Sequence, residues 1–244
     1  MEWEKRSILV VDSSASSIFY MSMLLRDLRY AVRSAPTAED ALSAIASSAP
    51  AVVITDVVLP KMSGVELLKQ IKNNVSLRFI PVIIHAANAN PANRDACTQG
   101  GCSAYFMKPV EPEALYRAIQ SATEATPRQN IRIDLSLKVQ VGDESSPDWM
   151  KREEEVTTLS EGGLYIKSDI PDPVYTLMPL TLFIGSRIIK VRAEVLYSSV
   201  KKGGQHKVPG MGLKFVSITK EDKEFIRSFI TALITKDLGS DARH

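Results

Sequence analysis

Asp12, Asp56 and Lys108 each follow a short apolar run: Ile8-Leu9-Val10-Val11, Val52-Val53-Ile54-Thr55 and Tyr105-Phe106-Met107. Short β-branched or aromatic runs read as buried strands, and a strand that ends on an ionic residue delivers it into the loop beyond the sheet. Two carboxylates and a lysine are therefore expected to meet at one sheet edge. The chemistry of this half is expected at that edge.

The elements that must position these residues follow from the apolar pattern. From Ile8 to about Ala122, short β-branched runs alternate with longer stretches of helical period, which predicts five βα units and a parallel sheet. The expected strands are Ile8 to Val11, Ala31 to Ser34, Val52 to Thr55, Val82 to His85 and Tyr105 to Met107. The expected helices are Ser16 to Leu28, Ala38 to Ala46, Val65 to Asn73, Ala92 to Gln99 and Pro112 to Ala122. Thr37 ahead of Glu39-Asp40, Asn90-Pro91 and Glu111-Pro112-Glu113 are helix starts, and Gly100-Gly101 is a stop. In doubly wound sheets ligands sit beyond the carboxyl ends of the strands, where Asp12, Asp56 and Lys108 fall.

Small polar residues from Ser121 to Pro127 break the pattern, which divides the chain into domains at 1–124 and 125–244. Beyond the break, Ile133 to Val141 and Arg187 to Tyr197 alternate strongly. Shorter strand-like runs lie at Glu155 to Leu159, Leu164 to Ser168, Leu180 to Ile184 and Met211 to Val216. Phe225, Ile226, Phe229, Ile230 and Leu233 then recur at helical spacing behind Thr219 and Glu221-Asp222. The fold class is α/β plus all-β: a flavodoxin-like, doubly wound, five-stranded parallel sheet, then a six-stranded antiparallel β-barrel with a C-terminal helix that plugs or flanks it.

Composition narrows the function. The 244 residues are 45% hydrophobic with a formal net charge of +2. Twelve basic and twelve acidic side chains fall before Pro127, so neither half has the excess charge of a DNA binder, and no helix-turn-helix follows the linker. Cys97 and Cys102 lack the partners of a zinc site and read as free thiols. No run approaches the roughly 18 apolar residues of a membrane span, so a cytoplasmic protein is expected. No nucleophile and base pair stands outside the Asp56 region, which argues against an enzyme. Trp149-Met150 reads as packing, Lys151-Arg152 with Glu153-Glu154-Glu155 as a solvated charge run, and Lys201-Lys202-Gly203-Gly204 as a basic hairpin loop, in which His206 has no metal-ligand neighbours.

With Asp12, the Val-Ile-Thr-Asp56 strand end, Leu59-Pro60, Ser63-Gly64, Tyr105 and Lys108-Pro109 in this order, the first half resembles a response-regulator receiver domain. The resemblance implies that Asp56 accepts a phosphoryl group from a histidine kinase, that Asp12, Asp56 and the Val58 carbonyl hold Mg2+, and that Lys108 senses the phosphate. Two positions depart from the pattern. Ser13 stands where a second acid is usual, which weakens the metal shell. Ala86 stands where a hydroxyl is usual, which removes a hydrogen bond worth about 1.5 to 3 kcal/mol. His85 is expected to point away from the side that Ala86 faces.

In the second half, Arg128 and Arg132 precede the barrel, Ser160 and Gly163 lie between two of its strands, and Pro209-Gly210-Met211-Gly212 opens the last. This half resembles a PilZ domain, a family that binds cyclic di-GMP. Its pattern is Arg-x-x-x-Arg followed by Asp or Asn, one residue, Ser, two residues and Gly. Arg128, Arg132, Ser160 and Gly163 match, and Thr158 replaces the acid or amide. Guanidinium forks can clamp phosphate and stack on guanine, whereas Thr158 offers a hydroxyl in place of a carboxylate. The function expected is a response regulator with a cyclic di-GMP-responsive output that acts by contacting a downstream protein, with homodimerisation open. The alternative is a degenerate receiver-PilZ scaffold that dimerises and docks a motility or pilus partner without either ligand, motivated by Ser13, Ala86 and Thr158.

Overall fold

The computed structural model of the chain describes residues 7–125, 127–200 and 209–236. The Lys201–Gly204 loop and His206 lie outside them. The chain divides into two compact units, the second of which is Asn130–Leu233, and each is described by itself.

The first unit alternates strand and helix: β1 (Ser7–Val11), α1 (Ala15–Asp27), β2 (Ala31–Ala35), α2 (Ala38–Ser47), β3 (Val52–Thr55), α3 (Gly64–Asn73), β4 (Val82–Ala86), α4 (Pro91–Gln99), β5 (Ala104–Met107) and α5 (Pro112–Thr123). The five strands pair in parallel in the order β2-β1-β3-β4-β5. β1, β3 and β4 are covered on both faces, as a parallel sheet between helices requires, which is why they read as unbroken apolar runs. Helix starts follow the local chemistry. Thr37 and Asn90 cap α2 and α4 through Asp40 and Ala92 N–H groups, and Ser63 and Glu66 form a capping box on α3. Gly101, at φ +81°, takes up the left-handed turn that ends α4.

The second unit is a closed barrel in the order β10-β11-β8-β7-β6-β9. Its strands are β6 (Arg132–Val141), β7 (Arg152–Ser160), β8 (Gly163–Lys167), β9 (Leu177–Ile184), β10 (Arg187–Ser199) and β11 (Gly210–Ser217), and α6 (Lys220–Thr235) follows. Inward residues such as Val139, Val156, Ile166, Leu182, Val195 and Met211 fill the barrel. The helix is tied to two turns of the barrel, through Asp222 to Arg187 and through Arg227 to Glu161. Arg187, beside the β9–β10 turn, binds Asp222 of α6 at 2.8 Å and lies over the Phe225 ring.

Two expectations hold only in part. The Lys151 to Glu155 charge run is solvated only in part: Lys151 and Glu153 are exposed, whereas Arg152 donates to Glu154 at 2.9 Å and to Asp172. Of the Trp149-Met150 pair only Met150 packs, at 9% exposure, whereas Trp149 is 69% exposed in a single 3₁₀ turn. No helix among the described residues is long and apolar enough to cross a membrane.

Candidate functional site

In the first unit the ladder carries the ionic residues to its edge. The N–H groups of Asp12, Asp56 and Lys108 donate to the carbonyls of Ala35, Val11 and Ala86, so each residue is the last held by the sheet on its strand. Asp12 and Asp56 flank the point where the strand order reverses, between β1 and β3. The Lys108 ammonium sits between them, 2.6 Å from Asp12 Oδ2 and 2.5 Å from Asp56 Oδ2. The other oxygen of each carboxylate is held locally, Asp12 Oδ1 by the Ser14 N–H at 2.9 Å and Asp56 Oδ1 by the Val58 N–H at 3.2 Å. Asp12 and Asp56 are buried. Burial pulls the lysine pKa down, but its hydrogen bonds to Asp12 and Asp56 outweigh this and hold it above the ordinary lysine value.

The donor set suits Mg2+. This ion is commonly held by one or two carboxylates and keeps several waters, and Asp12 and Asp56 are two buried carboxylates at one edge. Ser13 is exposed beside them, and no cluster of three His, Cys, Asp or Glu side chains exists among the described residues. Ala86 is 2% exposed and packs in the core under α3 and α4 with Leu67, Leu68 and Cys97. Tyr105 packs against the same cluster, its hydroxyl without a hydrogen-bond partner.

His85 lies on the opposite face from Ala86, as strand alternation requires, and is buried with Nε2 unpartnered. Burial first, and then the Lys108 ammonium, lower its pKa from 6.5 to about 4. Because the folded value is depressed, the unfolded chain takes the proton first as pH falls. Stability is then lost from about pH 6.5 down to pH 4. At about 1.4 kcal/mol per pH unit, His85 should cost about 2 kcal/mol at pH 5 relative to pH 7.5. Urea denaturation of wild type and His85→Leu at both pH values checks this: the leucine variant should lose that much less stability on acidification. Equal losses in the two proteins would rule it out.

In the second unit β6 and β7 are antiparallel partners, with Arg132 opposite Ser160 and Asp134 opposite Thr158. Residues two apart share a face, so these four side chains stand on one side of the strand pair. The Thr158 hydroxyl donates to Asp134 Oδ1 at 3.2 Å. Ser160 is buried, and its hydroxyl donates to the Gly163 carbonyl at 2.9 Å, closing the β7–β8 turn. A Cβ on Gly163 would lie 2.1 Å from the Leu213 carbonyl oxygen, so the close approach at this glycine is that of β11. Glu161, in the same turn, is buried and accepts both Nε and Nη2 of Arg227, with Lys223 at 3.4 Å. Burial raises its pKa, but the two cations of α6 prevail and hold it below the ordinary glutamate value. Arg128 is exposed in the first unit, its N–H donating to Gln120 Oε1 at 3.3 Å. Burial, and then the charge of Arg128, lower the pKa of Arg29.

Sequence reading passes over Asp134 and Glu161. Asp134 looks like one more polar residue of an alternating strand, and its partner is 24 residues away. Glu161 finds its partners only once α6 folds against the turn.

Family comparison finds a response regulator receiver domain at residues 8–120 and a PilZ domain at residues 126–232. The chain is 32% identical over 120 residues to a 14.6 kDa protein of Leptolyngbya boryana, a match that spans 49% of this chain and 92% of that one. It is 31% identical over 111 residues to the two-component response regulator ORR3 of Oryza sativa, across 45% of this chain and 85% of the relative. Among solved structures it resembles a response regulator receiver domain protein from Clostridium thermocellum, at 28% identity and a TM-score of 0.45, over 48% of this chain and 93% of that one.

Proposed function

As the chain belongs to the response-regulator family, with a PilZ domain behind its receiver, we propose that it is a two-input signalling protein whose barrel binds cyclic di-GMP and whose output is a change in its contacts with another protein. The observation that carries this reading is the shared face of β6 and β7, where Arg132 stands opposite Ser160 and beside Thr158. A guanidinium fork there can grip a phosphate bidentately or stack on a base, and the adjacent hydroxyl and carboxylate can bond to base edges. Arg128, four residues earlier in the chain, is the second clamp in this reading, and Ser160 and Gly163 hold the adjoining β7–β8 turn.

Asp56 is the phosphoacceptor in the same reading. One of its oxygens attacks the phosphorus of a kinase phosphohistidine, forming a P–O bond as the P–N bond breaks and the imidazole leaves. Mg2+ held by Asp12, Asp56 and the Val58 carbonyl would supply charge neutralisation there. Lys108 offers its ammonium to the incoming phosphoryl oxygens in place of the Asp56 carboxylate. Because Ala86 has no hydroxyl to give, the acyl phosphate lacks a bond worth about 1.5 to 3 kcal/mol, which makes phosphorylation the weaker input.

Titration calorimetry of the full chain with cyclic di-GMP tests the reading. Saturable binding is expected, and Arg132→Ala should weaken it by roughly 10- to 150-fold, the worth of one charge-assisted contact. Absence of saturable heat from wild type would sink the proposal.

A further inference from the structure

The β7–β8 turn, Ser160-Glu161-Gly162-Gly163, holds a buried carboxylate at a position that the sequence pattern leaves open. Both oxygens of Glu161 are taken by α6. Oε2 accepts Arg227 Nε at 2.9 Å, Oε1 accepts Arg227 Nη2 at 2.8 Å, and Lys223 Nζ lies 3.4 Å from Oε1. The same turn meets the chain that leads into β6: a Cβ on Gly162 would lie 2.8 Å from Nδ2 of Asn130, two residues before Arg132. Resting on the cyclic di-GMP reading above, we propose that Glu161 is the positioning residue of the ligand turn, and that through Arg227 and Lys223 it couples capture of the dinucleotide to the hold of α6 on the barrel.

The ion pairs are unequal in burial. The Glu161 side chain is 10% exposed, whereas those of Arg227 and Lys223 are 46% and 50% exposed. Without its partners the carboxylate is a buried unpaired charge, and the turn must swing outward to hydrate it. The cations, in contrast, can return to water when the acid is removed. The place of the charge adds to this: a dinucleotide brings two phosphates to the face of Arg132, and a carboxylate in the adjoining turn repels them unless it is neutralised. Elsewhere the turn is fixed by the Ser160 hydroxyl on the Gly163 carbonyl and by the Phe215 N–H on the Gly162 carbonyl, both at 2.9 Å. α6 has a second tether away from the turn, Asp222 on Arg187 at 2.8 Å, and buries Ile226 and Ile230. It therefore stays folded on the barrel when the Glu161 contact is lost. Coupling of this kind is reciprocal: the factor by which the contact raises ligand affinity is the factor by which bound ligand strengthens the contact.

The test measures cyclic di-GMP affinity by calorimetry and amide exchange in α6, both in the full chain. Glu161→Gln should weaken binding at least about 5-fold, the lower end of ordinary coupling between sites. Arg227→Ala should weaken it further, because it strands the buried acid, and the double variant E161Q/R227A should return to the level of Glu161→Gln. Asp222→Asn loosens α6 at its other tether and should leave the affinity unchanged. In wild type, saturating cyclic di-GMP should slow amide exchange around Arg227 by about the factor that Glu161→Gln costs in affinity, and in Glu161→Gln it should not. Wild-type affinity in Glu161→Gln, or an equal loss in Asp222→Asn, would overturn the coupling and leave the ligand assignment standing. Failure of wild type to bind cyclic di-GMP would remove the ligand reading itself, and the coupling with it.

Discussion

Replacing Lys108 with methionine is expected to destabilise the receiver unit by about 3 to 5 kcal/mol, the cost of breaking a buried ion pair by removing one partner. Methionine keeps an unbranched stem of similar length, so the loss reports the charge and not the packing. In wild type one ammonium lies within 2.6 Å of two carboxylates, and the lysine side chain is only 18% exposed. Without it, Asp12 and Asp56 face each other as buried like charges, each keeping only one bond to a nearby backbone N–H. A second substitution separates this repulsion from a general loss of fold. Asp56→Asn alone removes one of the two contacts to Lys108 and should cost less than Lys108→Met. In the Lys108→Met background it should instead recover stability, because it removes one of the opposed charges. Urea midpoints of the four proteins give the coupling directly, since residues in contact are not additive. Additive losses would mean that the triad is not electrostatically coupled.

The receiver half is legible in the sequence because its signals are local. Strands β1 and β3 carry continuous apolar runs, four of the five helices start on a capping Ser, Thr or Asn, and topology alone carries Asp12, Asp56 and Lys108 to one edge. The barrel is legible in outline, since alternation marks its strands, but strand starts rich in charge are hidden. Arg152 looks solvated because its partner Asp172 is distant in sequence. For the same reason Thr158 reads as a bare loss. Its hydrogen-bond partner Asp134 lies across the strand pair, and no periodicity in β7 reports on β6. Gly163 invites a ligand-based explanation, whereas the backbone of β11 already requires a glycine there. Single-position motifs record that a residue type is needed without recording which neighbour needs it.

Gly64 makes the same distinction testable beside Asp56. A Cβ on this residue would lie 1.9 Å from the Asp56 carbonyl oxygen and 2.9 Å from its carbon, distances that real side chains do not adopt. The obstacle is space alone, because Gly64 is not among the residues of positive φ. Neither side can yield cheaply. The Asp56 N–H is held by the Val11 carbonyl at 2.9 Å, and the Asp56 carbonyl accepts the Thr55 hydroxyl at 2.9 Å. On the other side, Gly64 N–H bonds the Val57 carbonyl at 2.9 Å, and α3 is anchored by its capping box and by buried Leu67, Leu68 and Ile71. Gly64→Ala must therefore push the β3–α3 loop outward, at about 3 kcal/mol, the upper end of the usual overpacking cost, since the opposing atom is backbone and has no rotamer to change. Gly101→Ala is the contrasting case: nothing lies within 4 Å of its Cβ, but φ is +81°. Conformation alone should cost about 1 to 2 kcal/mol there. Urea denaturation should rank the two in that order, and Gly64→Ala alone should also slow phosphoryl transfer from acetyl phosphate, because it displaces Asp56 relative to Lys108. A Gly64→Ala protein as stable as wild type would show that the loop has room the packing denies.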